Sequence, residues 1–207
     1  MNEYITIDAT AFIHKTATIY PGVTIGPGAY IGPGCIIGGP AEHLGTWGME
    51  GMGVDIGAGA VLTGLVTVDS GTTRKTVVGP GCFLMKGAHL GHDVILEHDV
   101  VVSCGAKIGG HCYIMNTANL GLNAVIHQWK VVGSAAMIGM GAVVTKRLDV
   151  EPFMCYAGNP AKCMGRNKKF AVGYVATDLE NAELSRWQDL NRTNRTLTNQ
   201  ITNDADI

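Results

Sequence analysis

An all-β parallel β-helix is the fold this sequence predicts, and three observations carry it. Aliphatic residues recur every six positions, first at Ile13, Ile19, Ile25, Ile31 and Ile37, then at Ile56, Leu62 and Val68. An unbroken run follows from Val78 through Leu84, Leu90, Leu96, Val102, Ile108, Ile114, Leu120, Ile126, Val132 and Ile138 to Val144. The residue after the aliphatic one is often glycine, as at Gly26, Gly57 and Gly79, and the fifth position of each unit is small, as at Ala29, Cys35, Ala60, Cys82 and Ala106. Self-similarity at a fixed period is the signature of a solenoid.

Each unit reads as a short strand, a tight turn and another short strand. The aliphatic side chain faces inward, the small residue packs at a corner, and glycine accepts the turn. Three units close a triangular coil of eighteen residues, and successive coils pair in parallel at about 4.8 Å. A solenoid expels extra residues as loops, which places loops at about 38–55, with Glu42, His43 and Trp47, and at 69–77, with Arg74 and Lys75. Such loops are where binding is commonly built. Beyond Val144 the period stops, and Glu151-Pro152 and Gly158-Asn159-Pro160 mark turns. Residues 1–170 therefore read as the β-helix domain and 171–207 as a short, partly helical tail. The helix is expected over Thr177–Leu190, with a frayed end rich in Asn, Thr and Asp.

Composition agrees with frequent turns and a small-residue core: 29 glycines, 6% aromatic and 15% charged residues. A formal net charge of −2 gives no ground for nucleic-acid binding. The six cysteines contain no CxxC pair, and neither a leader peptide nor an apolar run of spanning length is visible, so a reduced cytoplasmic protein without membrane insertion is expected. Cys35, Cys82, Cys104 and Cys112 fall inside the repeat and are expected as small core residues.

The strongest polar cluster is His89-Leu90-Gly91-His92-Asp93. Leu90 points inward, so His92 and Asp93 are expected on the strand after it, with side chains on opposite sides. His127 follows Ile126, two coils beyond Leu90, which sets the two histidines on one face about 10 Å apart. His89, His92 and His111 together raise a zinc site as an alternative.

The segment from Leu84 to Asp93, then Asn116–Leu120, Ile126–Gly133 and Gly158-Asn159-Pro160-Ala161, resembles the UDP-N-acetylglucosamine acyltransferases of lipid A biosynthesis. The likeness covers roughly residues 5–170. It implies a left-handed coil and a homotrimer with active sites in clefts between subunits. It implies transfer of an acyl group from acyl carrier protein or acyl-CoA to a nucleotide sugar of the UDP-N-acetylhexosamine kind, with no cofactor and no metal. By the same resemblance His92 is the general base, suited by an imidazole pKa near neutrality, and Asp93 is its paired acid. His89 matches a substrate contact, and His127 and Gln128 border the nucleotide-sugar and acyl groove. An amide near Gly121 or Leu122 would stabilise the thioester oxyanion. Met140 matches the closed end of the acyl groove and implies a shorter chain.

The chain departs from the family in four places. About one coil is missing between Asn123 and Ile126, and Asn123 stands where the family has a histidine. No lysine lies in the first loop, and only about 37 residues follow Phe170 where the family carries a helical domain. A coenzyme A-dependent sugar acetyltransferase, a γ-carbonic-anhydrase-like zinc protein and a non-catalytic scaffold are the other readings of the repeat.

Overall fold

The alternation of inward aliphatic and corner residues closes into the coil the sequence predicts. In the computed structural model, which describes residues 4–170 and 176–204, three sheets of seven, nine and seven strands, parallel but for the last pair of the nine, run along the three faces of the prism. Register follows the eighteen-residue coil: Val77 pairs with Ile95, Phe83 with Val101 and His89 with Lys107. The two insertions break it without breaking the ladder. Thr24 pairs across the first loop with Asp55, and Asp55 across the second with Val77.

The inward positions form one continuous core. Ile31, Ile37, Leu62, Leu84, Leu90 and Leu120 are fully buried, with Cys35, Ala60, Cys82, Ala88 and Cys112 filling the space between them. Each buried Leu or Ile contributes about 1.5–3 kcal/mol of apolar transfer, so the ladder of such residues holds the coil more than any one contact does. Cys104 departs from expectation. It sits in a turn and is exposed, because its place in the unit is the corner rather than the inward or small position.

At the C-terminal end, Met154–Ala157 continues the nine-stranded sheet and turns back as an antiparallel hairpin with Lys162–Arg166. Helix α1, Ala176–Asp204, then runs along the first face, where Trp187 packs on Met115 and Val131. This helix is longer than Thr177–Leu190, and the Asn- and Thr-rich stretch is helical where fraying was expected. Tertiary contacts outweigh weak propensity there. Asn191 and Arg195 bond to Asp149, Asn194 bonds to the His111 carbonyl, and the Thr193 and Thr196 hydroxyls donate to carbonyls one turn back. Among the described residues no helix is long and apolar enough to cross a membrane.

Candidate functional site

The site forms at the corner where the third face, carrying His89–Leu90, turns into the first, carrying Ile95–Leu96. Elsewhere in the coil the third residue after the inward aliphatic is commonly glycine in the left-handed region, as at Gly28, Gly34, Gly81 and Gly105. At this corner three successive coils place Asp93, His111 and Trp129 there instead, with φ of 61°, 60° and 64°. A side chain in that region costs on the order of 1–3 kcal/mol, and such strain persists where the surrounding structure imposes it. The result is a polar and aromatic column in a position that glycine would fill without cost.

Asp93 is completely buried, and the second loop wraps it. Its carboxylate accepts from the backbone N–H groups of Thr72, Thr73 and Arg74 at 2.8–3.1 Å and from the hydroxyls of Thr72 and Thr73 at 2.6 and 3.0 Å. The Arg74 guanidinium closes the wrap by donating to the Asp93 carbonyl at 2.8 and 3.0 Å. Burial works to raise the Asp93 pKa, but the hydrogen bonds from His92 and the threonine-rich loop overcome it and hold the carboxyl far below the ordinary carboxylate range. Arg74 therefore serves the scaffold of the site.

The neighbouring His92 lies 2.7 Å from that carboxylate through Nδ1. An ionised acceptor requires Nδ1 to carry the proton, which leaves Nε2 as a free lone pair. His92 and Asp93 lie in the turn after the strand, and the left-handed backbone at Asp93 folds the two side chains together; the expectation that they point to opposite sides fails for that reason. The His92 side chain is only 10% exposed. Its ring meets His43 of the first loop edge-on at 5.4 Å and His111 at 4.8 Å, and His111 stacks on Trp129 with centroids 3.7 Å apart. Gly110, one coil above, is a required glycine: a Cβ there would come within 2.7 Å of His92 Nε2.

A cavity of about 290 Å³ opens on this column, lined by His92, His111, His127, Gln128 and Trp129 and walled by Arg195 of α1. The ammonium of Lys130 is buried beside it, donating to the Lys146 carbonyl at 3.2 Å, and burial lowers its pKa below the ordinary lysine value. The C-terminal tail, expected as a short appendage, thus forms one wall of the site.

Of the residues singled out in the sequence, His92, Asp93, His127 and Gln128 meet at this corner, with His89 in the adjoining recess. Gly121, Leu122, Asn123 and Met140 lie at a different corner, between the second and third faces. The Gly121 N–H donates to the Ile138 carbonyl at 2.8 Å, so it is committed to the ladder and unavailable to an oxyanion. Asn123 takes the left-handed turn position at φ 53°, where asparagine substitutes well for glycine. Met140 is 74% exposed and fills no core. The zinc alternative also changes: the ligand atoms that converge within 4.8 Å are those of His92, Asp93 and His111, without His89. Asp93 already accepts five loop donors and His92, a poor state for a metal ligand.

Burial drives the His111 pKa down to about 4, with Asp93 opposing. A folded-state value below the unfolded one of about 6.5 means the neutral ring contributes stability above pH 6.5, and this is lost as pH falls toward 4. Asp69, raised to about 6 chiefly by burial, acts in the opposite sense over the same range. Urea unfolding at pH 7 and 5 is therefore expected to show a smaller acid loss in His111→Gln than in the wild type. An equal loss in both would refute this.

Residues 4–39 and 75–110 match the bacterial transferase hexapeptide, with six repeats. The chain carries that repeat. Its β-helix is similar to LpxA, a UDP-N-acetylglucosamine acyltransferase from Bacteroides fragilis, with 25% identity and a TM-score of 0.72 over 84% of this chain and 82% of that one. LpxA from Acinetobacter baumannii is also 25% identical, with a TM-score of 0.62 over 81% and 78% of the two chains. The UDP-N-acetylglucosamine O-acyltransferase of Moraxella catarrhalis gives 25% and 0.61 over 80% and 74%. No curated protein matches the sequence.

Proposed function

We propose that the protein is an acyltransferase that moves an acyl group from a thioester, carried by acyl carrier protein or coenzyme A, to a nucleotide-linked N-acetylhexosamine. The observation that carries this reading is the His92–Asp93 pair: a buried carboxylate fixes one imidazole nitrogen, the other has no partner among the described residues, and the residue lines two adjoining cavities. A proton acceptor so oriented is what attack by a weak sugar nucleophile on a thioester needs. His92 Nε2 takes the proton as the nucleophile adds to the carbonyl carbon, and returns it to the departing thiolate. For the oxyanion we assign the Gly110 N–H, beside His92 and without an acceptor among the described residues, in place of Gly121. Likeness to the UDP-N-acetylglucosamine acyltransferases supports the substrate class, and we propose with it a homotrimer and a cytoplasmic setting.

The test is transfer itself. Purified protein, incubated with acyl carrier protein or coenzyme A thioesters of graded chain length and with UDP-N-acetylhexosamines, is expected to release thiol and form acylated nucleotide sugar. No transfer from any donor to any such acceptor would end the reading.

A further inference from the structure

Next to the His92 cavity lies a second recess of about 300 Å³, lined by Glu42, Asp69, His89, His92 and Lys107. Its electrostatics differ from those of the first. Two carboxylates come from the two inserted segments, Glu42 from the first loop and Asp69 from the end of Thr67–Asp69. Asp69 is 92% buried by its 8% exposure, and it accepts the Glu42 N–H. The nearest cationic candidates do not neutralise it. His89 Nε2 stands 3.9 Å away, beyond hydrogen-bond length, its Nδ1 is engaged with Thr67 Oγ1 at 2.8 Å, and burial favours its neutral form. The Lys107 ammonium is bound to the Gly87 carbonyl at 2.6 Å. His92, nine-tenths buried, has its Nδ1 spent on Asp93 and borders this recess as well as the first, with no partner for Nε2 among the described residues.

We infer that this recess receives the acceptor as an amine, so that the transfer product is an amide rather than an ester. The inference rests on the acyl-transfer reading and specifies its acceptor. An ammonium entering between Glu42 and Asp69 makes the direct ion pair that neither His89, at 3.9 Å, nor Lys107, bound to a neutral carbonyl, makes with Asp69, and charge-assisted contacts of this kind are the strong ones. A hydroxyl in the same place would give neither carboxylate a charged partner. Asp69 is poised to take part, because burial and the Glu42 charge raise its pKa to about 6. The ammonium passes one proton through Asp69 to solvent and becomes the free amine. Its nitrogen then forms the bond to the thioester carbonyl carbon while the carbon–sulfur bond breaks. His92 Nε2 takes the second nitrogen-bound proton and hands it to the leaving thiolate, so the free thiol and one solvent proton balance the reaction.

The experiment compares two acceptors that differ in one atom: a UDP-N-acetylhexosamine and its analogue with the accepting hydroxyl replaced by an amine, each with the same acyl donor. The wild type is expected to favour the amine in kcat/KM by at least about tenfold, the lower bound for a charge-assisted hydrogen bond. Glu42→Gln, on an exposed loop, and Asp69→Asn are each expected to lower the amine-to-hydroxyl ratio by about tenfold or more. Preference for the hydroxyl, or a ratio that neither variant moves, overturns the inference and leaves acyl transfer standing. Transfer to neither acceptor removes the proposed function and the inference with it.

Discussion

Replacing His92 with alanine lowers kcat for acyl transfer by about 10²–10⁴-fold, the range general-base catalysis supplies, and leaves KM for the nucleotide sugar within a few-fold. The reasoning is geometric. Nδ1 is committed to Asp93 at 2.7 Å, so the only chemistry the ring offers the cavity is the Nε2 lone pair. That pair acts only as the nucleophile loses its proton, so its removal costs the transition state and leaves ground-state binding intact. His92→Ala also removes an imidazole from a packed corner, so circular dichroism and urea unfolding should accompany the kinetics. A variant that folds and still transfers at more than a tenth of the wild-type rate would move the base elsewhere in the column, with His111 and His127 the next to substitute.

Much of this corner was legible in the sequence because the period is a ruler. Eighteen residues make a coil, so the inward ladder, both loops and the pairing of the His92 and His127 neighbourhoods follow from counting alone. The oxyanion segment at Gly121 or Leu122 rests on the family resemblance and not on the count. Aligning the oxyanion segment on Gly121 required a missing coil, yet eighteen residues beyond His92 stands Gly110, with His111 beside it, on the coil directly above. The turn position that is glycine in many coils becomes Asp93, His111 and Trp129 in three successive ones, but Asp99, Thr117, Ala135 and Phe153 do the same at the corner after the first face, so the replacement alone does not single out this site. Replacement of glycine by bulky residues at a left-handed position marks a place where the chain accepts strain. Helix α1 was harder to read. Its place against the first face depends on long-range partners such as Arg186 with Glu97 and Arg195 with Asp149, and pairs so distant in sequence leave no periodic trace. His43 and Glu42 belong to the same class, since a loop's length is visible in the sequence but not where its side chains come to rest.

The second large effect belongs to Asp93, and it is expected on stability and rate together. Asp93→Ala leaves the donors of Thr72, Thr73, Arg74 and His92 without their common acceptor in a fully buried place. Removing one side of a buried charged network typically costs about 3–5 kcal/mol, which urea unfolding at pH 7 should register. Asp93→Asn is the sharper probe of mechanism. The amide keeps the volume, but its –NH₂ must face groups that are themselves donors, so either the loop or His92 loses its bond. If His92 turns to present Nδ1 as acceptor to that amide, its proton moves to Nε2 and the base is disabled, with an expected fall in kcat of about 10²-fold or more. The pH dependence gives an independent check. The folded carboxyl titrates far below the unfolded value of about 3.9, so its contribution is complete above that pH and is lost as pH falls through the folded value. The stability gap between wild type and Asp93→Asn should therefore stay wide from pH 7 down to about pH 4 and shrink progressively as the pH is lowered below that toward the folded value. A gap that stayed constant over that range would mean that Asp93 stabilises this corner by its shape alone, and the loop would then be held by packing rather than by charge.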